Sequence, residues 1–187
     1  MLGELHEVKQ MISRGIFVGR FQPFHLGHLV TVKYALEKVD ELVIVIGSAQ
    51  ISHETRNPFT AGERIQMIKG SLDADAEIDS KRILIIPVHD VNTHYLWTYQ
   101  LDMMVPSYQT VFSNDFFTRA LYKERGIKVI QTILYKRKEL SGTEIRCRMA
   151  LDKVWNNLVP FQTARVIEDI GGTIRVKAIR RYSKSSH

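Results

Sequence analysis

The chain has 187 residues, 44% hydrophobic and 25% charged, with a formal net charge of +6. That size suits one packed core and is short for two, and the balance is that of a globular protein, which excludes global disorder. One cysteine, Cys147, excludes an internal disulfide framework and a multi-cysteine metal site, and no apolar run approaches the ~20 residues that cross a bilayer, so no membrane partner is expected.

Residues 1–13, MLGELHEVKQMIS, carry acids and lack an uninterrupted apolar core. They read as an N-terminal extension rather than a secretion signal, and a cytoplasmic location is expected. The expected strands are GIFVG (15–19), ELVIVIG (41–47), RILIIPV (82–88), QTVFS (109–113) and IKVIQT (127–132). Between them, 26–39, 60–72, 94–105 and 115–126 show apolar residues near three- and four-residue spacing and are the expected helices. Such alternation, with nearly all-apolar strands, predicts an open parallel sheet covered on both faces: a doubly wound, Rossmann-like α/β domain.

Beyond Gln131 the alternation stops. Ser141 and Thr143 precede a helical run to Trp155, and Pro160 opens another that closes at Gly171 and Gly172. The residues TIRVKAI (173–179) alternate, which leaves strand and helix equally open. No linker or repeat divides the chain, so one domain is expected over 1–187, with a helical C-terminal part and a tail at 172–187. Basic residues are spread along the chain except at YKRKEL (135–140) and IRRYSKSSH (179–187). Phosphorylated small molecules or plain solubility account for the charge as well as nucleic acid does, so charge alone gives nucleic acid little weight.

In open parallel sheets, ligands bind at the carboxyl ends of the strands, where strand order reverses. GRFQPFHLGH, Gly19–His28, stands at the first strand-to-helix junction. Gly27 lets backbone approach a phosphate, the N–H groups of the helix starting near His25 form an anion site, and His25 and His28 face the same way on its first turn, with Arg20 just before. A zinc pair is the competing reading, but the sequence places no third ligand, so phosphate prevails. Ser48 and Gln50 follow the second strand and fall on the same rim. Arg56 reads as a solvated loop arginine or a phosphate contact, and Trp97 as a core residue or a plane for a cationic ring. Thr60 and Glu63 form a capping box. Ser141 or Thr143 caps a helix whose N-terminus, with Arg146 on the next turn, makes a second anion site.

GRFQPFHLGH matches the G-x-F-x-P-x-H-x-G-H signature of the nucleotidylyltransferase superfamily, and LSGTEIRCRM (140–149) is similar to its I-S-G-T-x-I-R motif. IGSAQISHETRNPFTAGER (46–64), IIPVHD (85–90), Leu96–Trp97 and the segment before ERGIKV resemble, more narrowly, the archaeal-type nicotinamide-nucleotide adenylyltransferases, from about Gly15 to Ile170. The resemblance implies transfer of AMP from ATP to nicotinamide mononucleotide, giving NAD and pyrophosphate, with Mg²⁺ carried on the ATP phosphates, and a homo-oligomer such as a hexamer. It implies catalytic roles for His25, His28, Arg20 and Arg146. Gly19, Phe21, Gly27, Ser141, Gly142, Thr143 and Arg56 would hold ATP, and Ser48, Gln50, Asp90, His94 and Trp97 the mononucleotide. The chain departs from the family pattern at His94, where Asn is usual, at Ser113–Asp115, where Ser-Gly-Asn is usual, and at Cys147, where a second arginine is common. The alternatives are another adenylyl- or cytidylyltransferase with a different acceptor, or a non-catalytic nucleotide- or RNA-binding module.

Overall fold

The computed structural model describes residues 12–91, 93–133, 135 and 139–185, without the side chains of His94, Tyr95, Lys184 and Ser185. The extension at 1–11, most of the basic loop at 136–138 and the last two residues lie outside the described residues. Among the described residues five strands alternate with helices and three helices close the chain: β1 (Arg14–Gly19), α1 (Leu26–Leu36), β2 (Glu41–Ile46), α2 (Ala61–Asp73), β3 (Ile83–Pro87), α3 (His94–Met104), β4 (Thr110–Phe112), α4 (Phe116–Glu124), β5 (Lys128–Ile130), α5 (Gly142–Ala150), α6 (Phe161–Asp169) and α7 (Gly172–Ser185). The sheet order is β3-β2-β1-β4-β5 and every pairing is parallel. The order turns back between β1 and β4, so a crevice opens at their carboxyl ends.

Period-two packing divides the apolar strands between two cores. Leu42, Ile44 and Ile46 face the larger one, with Phe17, Val32, Met67, Ile145, Ile167 and Val176 from β1, α1, α2, α5, α6 and α7. Val43 and Val45 face the other, with Ile16, Val111, Leu101 and Tyr122 from β1, β4, α3 and α4. Helices therefore cover both faces, as the alternation of elements predicts, and Leu84 on edge strand β3 is exposed. No helix among the described residues is long and apolar enough to cross a membrane.

At the C-terminal end one open reading is decided and one expected boundary moves. The alternating stretch 173–179 is helical: Val176 is buried while Ile174 is 75% exposed, although in a strand the two would share a face. Its buried side is set by three-residue spacing, since Val176 and Ile179 line one pocket with α5. The helix expected to reach Trp155 stops at Ala150, and Asp152, at φ 55, turns the chain into the left-handed region.

Candidate active site

β1 delivers the chain to the loop Arg20–Phe24, and His25 stands at the N-cap of α1. The backbone N–H of His25 donates to Nδ1 of His28 at 3.2 Å, and the two imidazoles stack with centroids 3.5 Å apart. Because Nδ1 of His28 is the acceptor, its proton sits on Nε2. Phe21 meets the His28 ring edge-on at 4.8 Å and Phe24 stacks on it at 5.5 Å. Burial lowers the His25 pKa to about 4; burial and then the neighbouring His25 push that of His28 well below its ordinary value. Both rings are neutral N–H donors at pH 7. Nδ1 of His25 has no hydrogen-bond partner among the described residues.

Neutral burial of these histidines makes stability depend on pH. The unfolded chain binds the proton first, so the full contribution is present above pH ~6.5 and is lost as pH falls toward the folded value. With a folded pKa of about 4 for His25, its share of the loss between pH 7.5 and 5 is roughly 2 kcal/mol. Urea titrations of the parent and of His25→Phe should show a steeper decline in the parent; identical pH slopes would place the imidazole in water.

The glycines and Phe21 of this loop serve packing. A Cβ on Gly19 would lie 2.8 Å from the ring of Phe21, which is 2% exposed, so Phe21 turns its side chain to the core and leaves only backbone toward a ligand. A Cβ on Gly27 would press on the His25 ring at 3.2 Å.

The second anion site closes on the first. Ser141 caps α5, its hydroxyl accepting from Glu144 N–H at 3.2 Å, and Arg146 on the next turn donates to the Gln22 carbonyl at 2.7 Å and the Thr55 carbonyl at 3.2 Å. The Thr143 hydroxyl accepts from Arg146 at 3.4 Å. Burial, then Arg20 and Arg56, lower the Arg146 pKa to about 10. Arg20 is lowered by burial and Arg56, with Asp90 opposing. The three arginines are thus near enough to raise the cost of one another's charge, with Arg146 held between the loop before α1 and Thr55. At Gly142 a Cβ would stand 2.8 Å from the Gln22 carbonyl oxygen and 3.0 Å from Arg146. Alanine normally stabilises a helical position relative to glycine. Gly142→Ala is expected to do the opposite, destabilising by about 1–3 kcal/mol and raising KM for a nucleoside triphosphate; a raised melting temperature would show that α5 has room.

On the other side of β1, the loops after β2 and β3 meet. Ser48, at φ 51, donates its N–H to Asp90 Oδ1 at 3.1 Å, and Gln50 Oε1 accepts from Asp90 N–H at 3.1 Å. Trp97 is half-buried on α3 and packs against the smaller core. His94 begins α3, and its side chain lies outside the described residues.

A cleft of about 220 Å³ runs from His25, His28 and Thr31 across to Ser113–Asp115 and Thr132, at the predicted switch point. Its β4 wall is fixed by Asn114, whose amide donates to the Thr132 carbonyl at 3.1 Å and accepts from Thr132 N–H at 3.1 Å, and by Asp115, which caps α4. Two residues given no role from the sequence organise the rest. Gln22 exchanges bonds of 2.8 and 2.9 Å with the carbonyl and N–H of Phe59. Arg64, fully buried, donates to the carbonyls of Thr60, Arg20, Gly47 and Ser48 at 3.1, 2.9, 2.8 and 3.0 Å. The capping box beside it could be read from sequence; the ring of strand-end carbonyls could not.

Neutral imidazoles at the N-terminus of α1, on the switch-point cleft of a parallel sheet, with Arg146 of α5 held against the preceding loop, define a protein built to handle nucleotide phosphates. Comparison with known proteins narrows the class. The cytidylyltransferase-like family matches residues 16–148. Nicotinamide-nucleotide adenylyltransferase of Pyrococcus furiosus is 41% identical over 94% of this chain and 93% of that protein, and that of Archaeoglobus fulgidus 46% identical over 89% and 97%. Among solved structures, a bifunctional NMN adenylyltransferase/ADP ribose pyrophosphatase from Francisella tularensis, complexed with AMP and a Mn ion, superposes with a TM-score of 0.71 at 23% identity. This chain is covered over 92% of its length there and spans about half, 54%, of that longer protein. The chain belongs to the nicotinamide-nucleotide adenylyltransferases, within the cytidylyltransferase-like family. It is an enzyme, a nucleotidyltransferase.

Proposed function

We infer that the crevice at the ends of β1 and β4 passes AMP from ATP to nicotinamide mononucleotide, giving NAD and pyrophosphate. The observation that carries this reading is that Arg146, which feels Arg20 and Arg56, is bonded to the Gln22 carbonyl in the loop that leads directly into the neutral His25–His28 pair. The 5′-phosphate of the mononucleotide is already an anion, so no general base is needed. Its oxygen attacks the α-phosphorus of ATP in line; the bond to the bridging oxygen breaks, and pyrophosphate leaves with that electron pair. His25 and His28 donate N–H bonds to the transferring phosphoryl group, while Arg20, Arg56, Arg146 and the helix N-termini offset charge on the leaving group. Ser141, Gly142, Thr143, Gly19, Gly27 and the Phe21 backbone shape the ATP side.

Ser48, Gln50, Asp90, His94 and Trp97 form the acceptor side. Trp97→Ala is expected to raise KM for nicotinamide mononucleotide about tenfold, as loss of a cation–π plane would, and KM for ATP much less. Quenching of Trp97 fluorescence by the mononucleotide, read in a Trp155→Phe background, checks the stacking; an unchanged spectrum at saturation would make Trp97 a core residue.

Among the described residues no group of three or more His, Cys, Asp or Glu side chains gathers in one place. In this reading Mg²⁺ would arrive on the ATP phosphates and water, where it would neutralise charge on the β- and γ-oxygens. The same reading makes the chain one domain and a cytoplasmic homo-oligomer such as a hexamer. An exposed stripe on α3, Leu96, Tyr99 and Met103, supports association. The deciding experiment measures pyrophosphate release from ATP or CTP with a panel of phosphorylated acceptors. Turnover with ATP and nicotinamide mononucleotide above the other pairs is expected, and preference for CTP or another acceptor would overturn the assignment.

A further inference from the structure

The segment Glu54–Thr60 carries Arg56 and belongs to no α-helix or strand. Reciprocal backbone bonds close it, from Glu54 N–H to the Asn57 carbonyl at 3.2 Å and from Asn57 N–H to the Glu54 carbonyl at 3.0 Å, with exposed Arg56 near the tip. Gln22 and Arg146 grip it from within the phosphate site, at Phe59 and Thr55. A third grip comes from α7, to which neither the sequence nor the catalytic reading gives a role.

Arg175 donates through Nη1 to the Pro58 carbonyl at 3.2 Å and to Glu63 Oε2 at 2.7 Å, and through Nη2 to Glu63 Oε1 at 2.8 Å. Glu63 in turn accepts from Thr60 N–H at 2.8 Å, so the ion pair is continuous with the capping box that starts α2. Two turns further along α7, Ser183 Oγ lies 2.9 Å from Thr55 Oγ1. At the start of α7, Phe59 covers Gly172, where a Cβ would come within 2.9 Å of its ring. α7 therefore touches the loop on both sides of Arg56, at Thr55 and at Pro58–Thr60. The pair is mostly shielded from solvent, with side-chain exposures of 20% for Arg175 and 15% for Glu63, and the fork of Arg175 is turned toward α2 and Pro58. A bidentate guanidinium–carboxylate pair in such a place fixes geometry as well as adding energy.

We propose that α7 is a strut for the Arg56 loop and that Arg175 is a positioning residue for the triphosphate of ATP, acting through Pro58 and Glu63. The proposal rests on the reading of Arg56 as a phosphate contact. A flexible loop must be ordered when its arginine engages a ligand, and holding it beforehand removes that cost. Loosening the strut therefore weakens ATP use while leaving the acceptor side, anchored on β2, β3 and α3, largely alone.

The test compares steady-state kinetics and thermal unfolding in the parent, Arg175→Gln, Arg175→Lys, Arg56→Ala and the double variant Arg56→Ala/Arg175→Gln. Arg175→Gln should raise KM for ATP about fivefold with KM for nicotinamide mononucleotide within about twofold, a coupling typical of residues in one hydrogen-bonded network. Arg175→Lys keeps one contact to Glu63 and should recover part of the loss. In the Arg56→Ala background, Arg175→Gln should raise KM for ATP no further. Equal rises for both substrates, a lowered melting temperature with unchanged KM values, or effects that multiply in the double variant would each overturn the strut. Should Arg56→Ala leave KM for ATP unchanged, the reading of Arg56 fails and the strut with it; an effect of Arg56→Ala alone overturns only the strut. If Arg175→Gln does not fold, Ser183→Ala, which removes one hydroxyl at the far contact, carries the same comparison.

Discussion

His28→Ala is expected to lower kcat by about 10²-fold or more, with a much smaller change in KM for either substrate, because the lost donor faces charge that develops only in transfer. The geometry makes the prediction specific to one nitrogen. Nδ1 of His28 is occupied by the His25 backbone N–H, so the donor is Nε2. Glutamine can place an amide N–H near the Nε2 position and asparagine near Nδ1. His28→Gln should therefore recover part of the rate and His28→Asn should not. The ring also packs against Phe21 and Phe24, so alanine will cost some stability, and the melting temperature of each variant separates that loss from the catalytic one. Equal rates for the Gln and Asn variants, or near-normal turnover for Ala, would remove His28 from the reaction.

Arg64→Met should destabilise the protein by about 3 kcal/mol, a larger effect than truncating the exposed Lys69 on the same helix. Arg64 is fully buried, and its fork collects the carbonyls of Arg20, Gly47 and Ser48 as well as that of Thr60 one turn back. Methionine fills the volume but takes the donor from the Arg20 and Gly47 carbonyls, at roughly 1–3 kcal/mol each, offset in part by removal of a buried charge, while the Thr60 and Ser48 carbonyls keep the backbone N–H groups of Arg64 and Ile51. Arg64→Lys should be only slightly better, since a single ammonium cannot span carbonyls from two strands. Chemical denaturation gives the magnitude. Because Arg64 holds both the loop after β1, which carries Arg20, and the loop after β2, which carries Ser48, the surviving folded fraction should show raised KM for both substrates. Loss confined to one would mean that Arg64 anchors only one loop.

The sheet was legible because its strands are buried on both faces: Val43, Ile44, Val45 and Ile46 form an unbroken apolar run that suits a central parallel strand. Gly27, His25 and His28 were legible because a strand end, a helix start and three-residue spacing are local properties. What escaped the sequence depends on distant partners. Arg64 reads as one more helical arginine until the ends of β1 and β2 surround it with carbonyls. Gln22 looks like a loop residue until Phe59 offers its backbone. The alternation of Ile174, Val176 and Ala178 pointed as much to a strand as to a helix, and only the packing of Val176 and Ile179 toward α5 decides it. Phe21 is partly legible: its place in the motif was read, while the burial of its ring under Gly19 was not.

Arg146 reaches the Gln22 carbonyl across more than one hundred positions of chain, and that bond has a temporal side. All five strands are complete by Ile130, before α5 has been synthesised. A polypeptide leaving the ribosome can thus carry every sheet residue and the histidine loop while the clamp that would retain a triphosphate does not yet exist. Under the proposed function, nucleotide capture waits for α5, and a translation product interrupted before it would not sequester ATP.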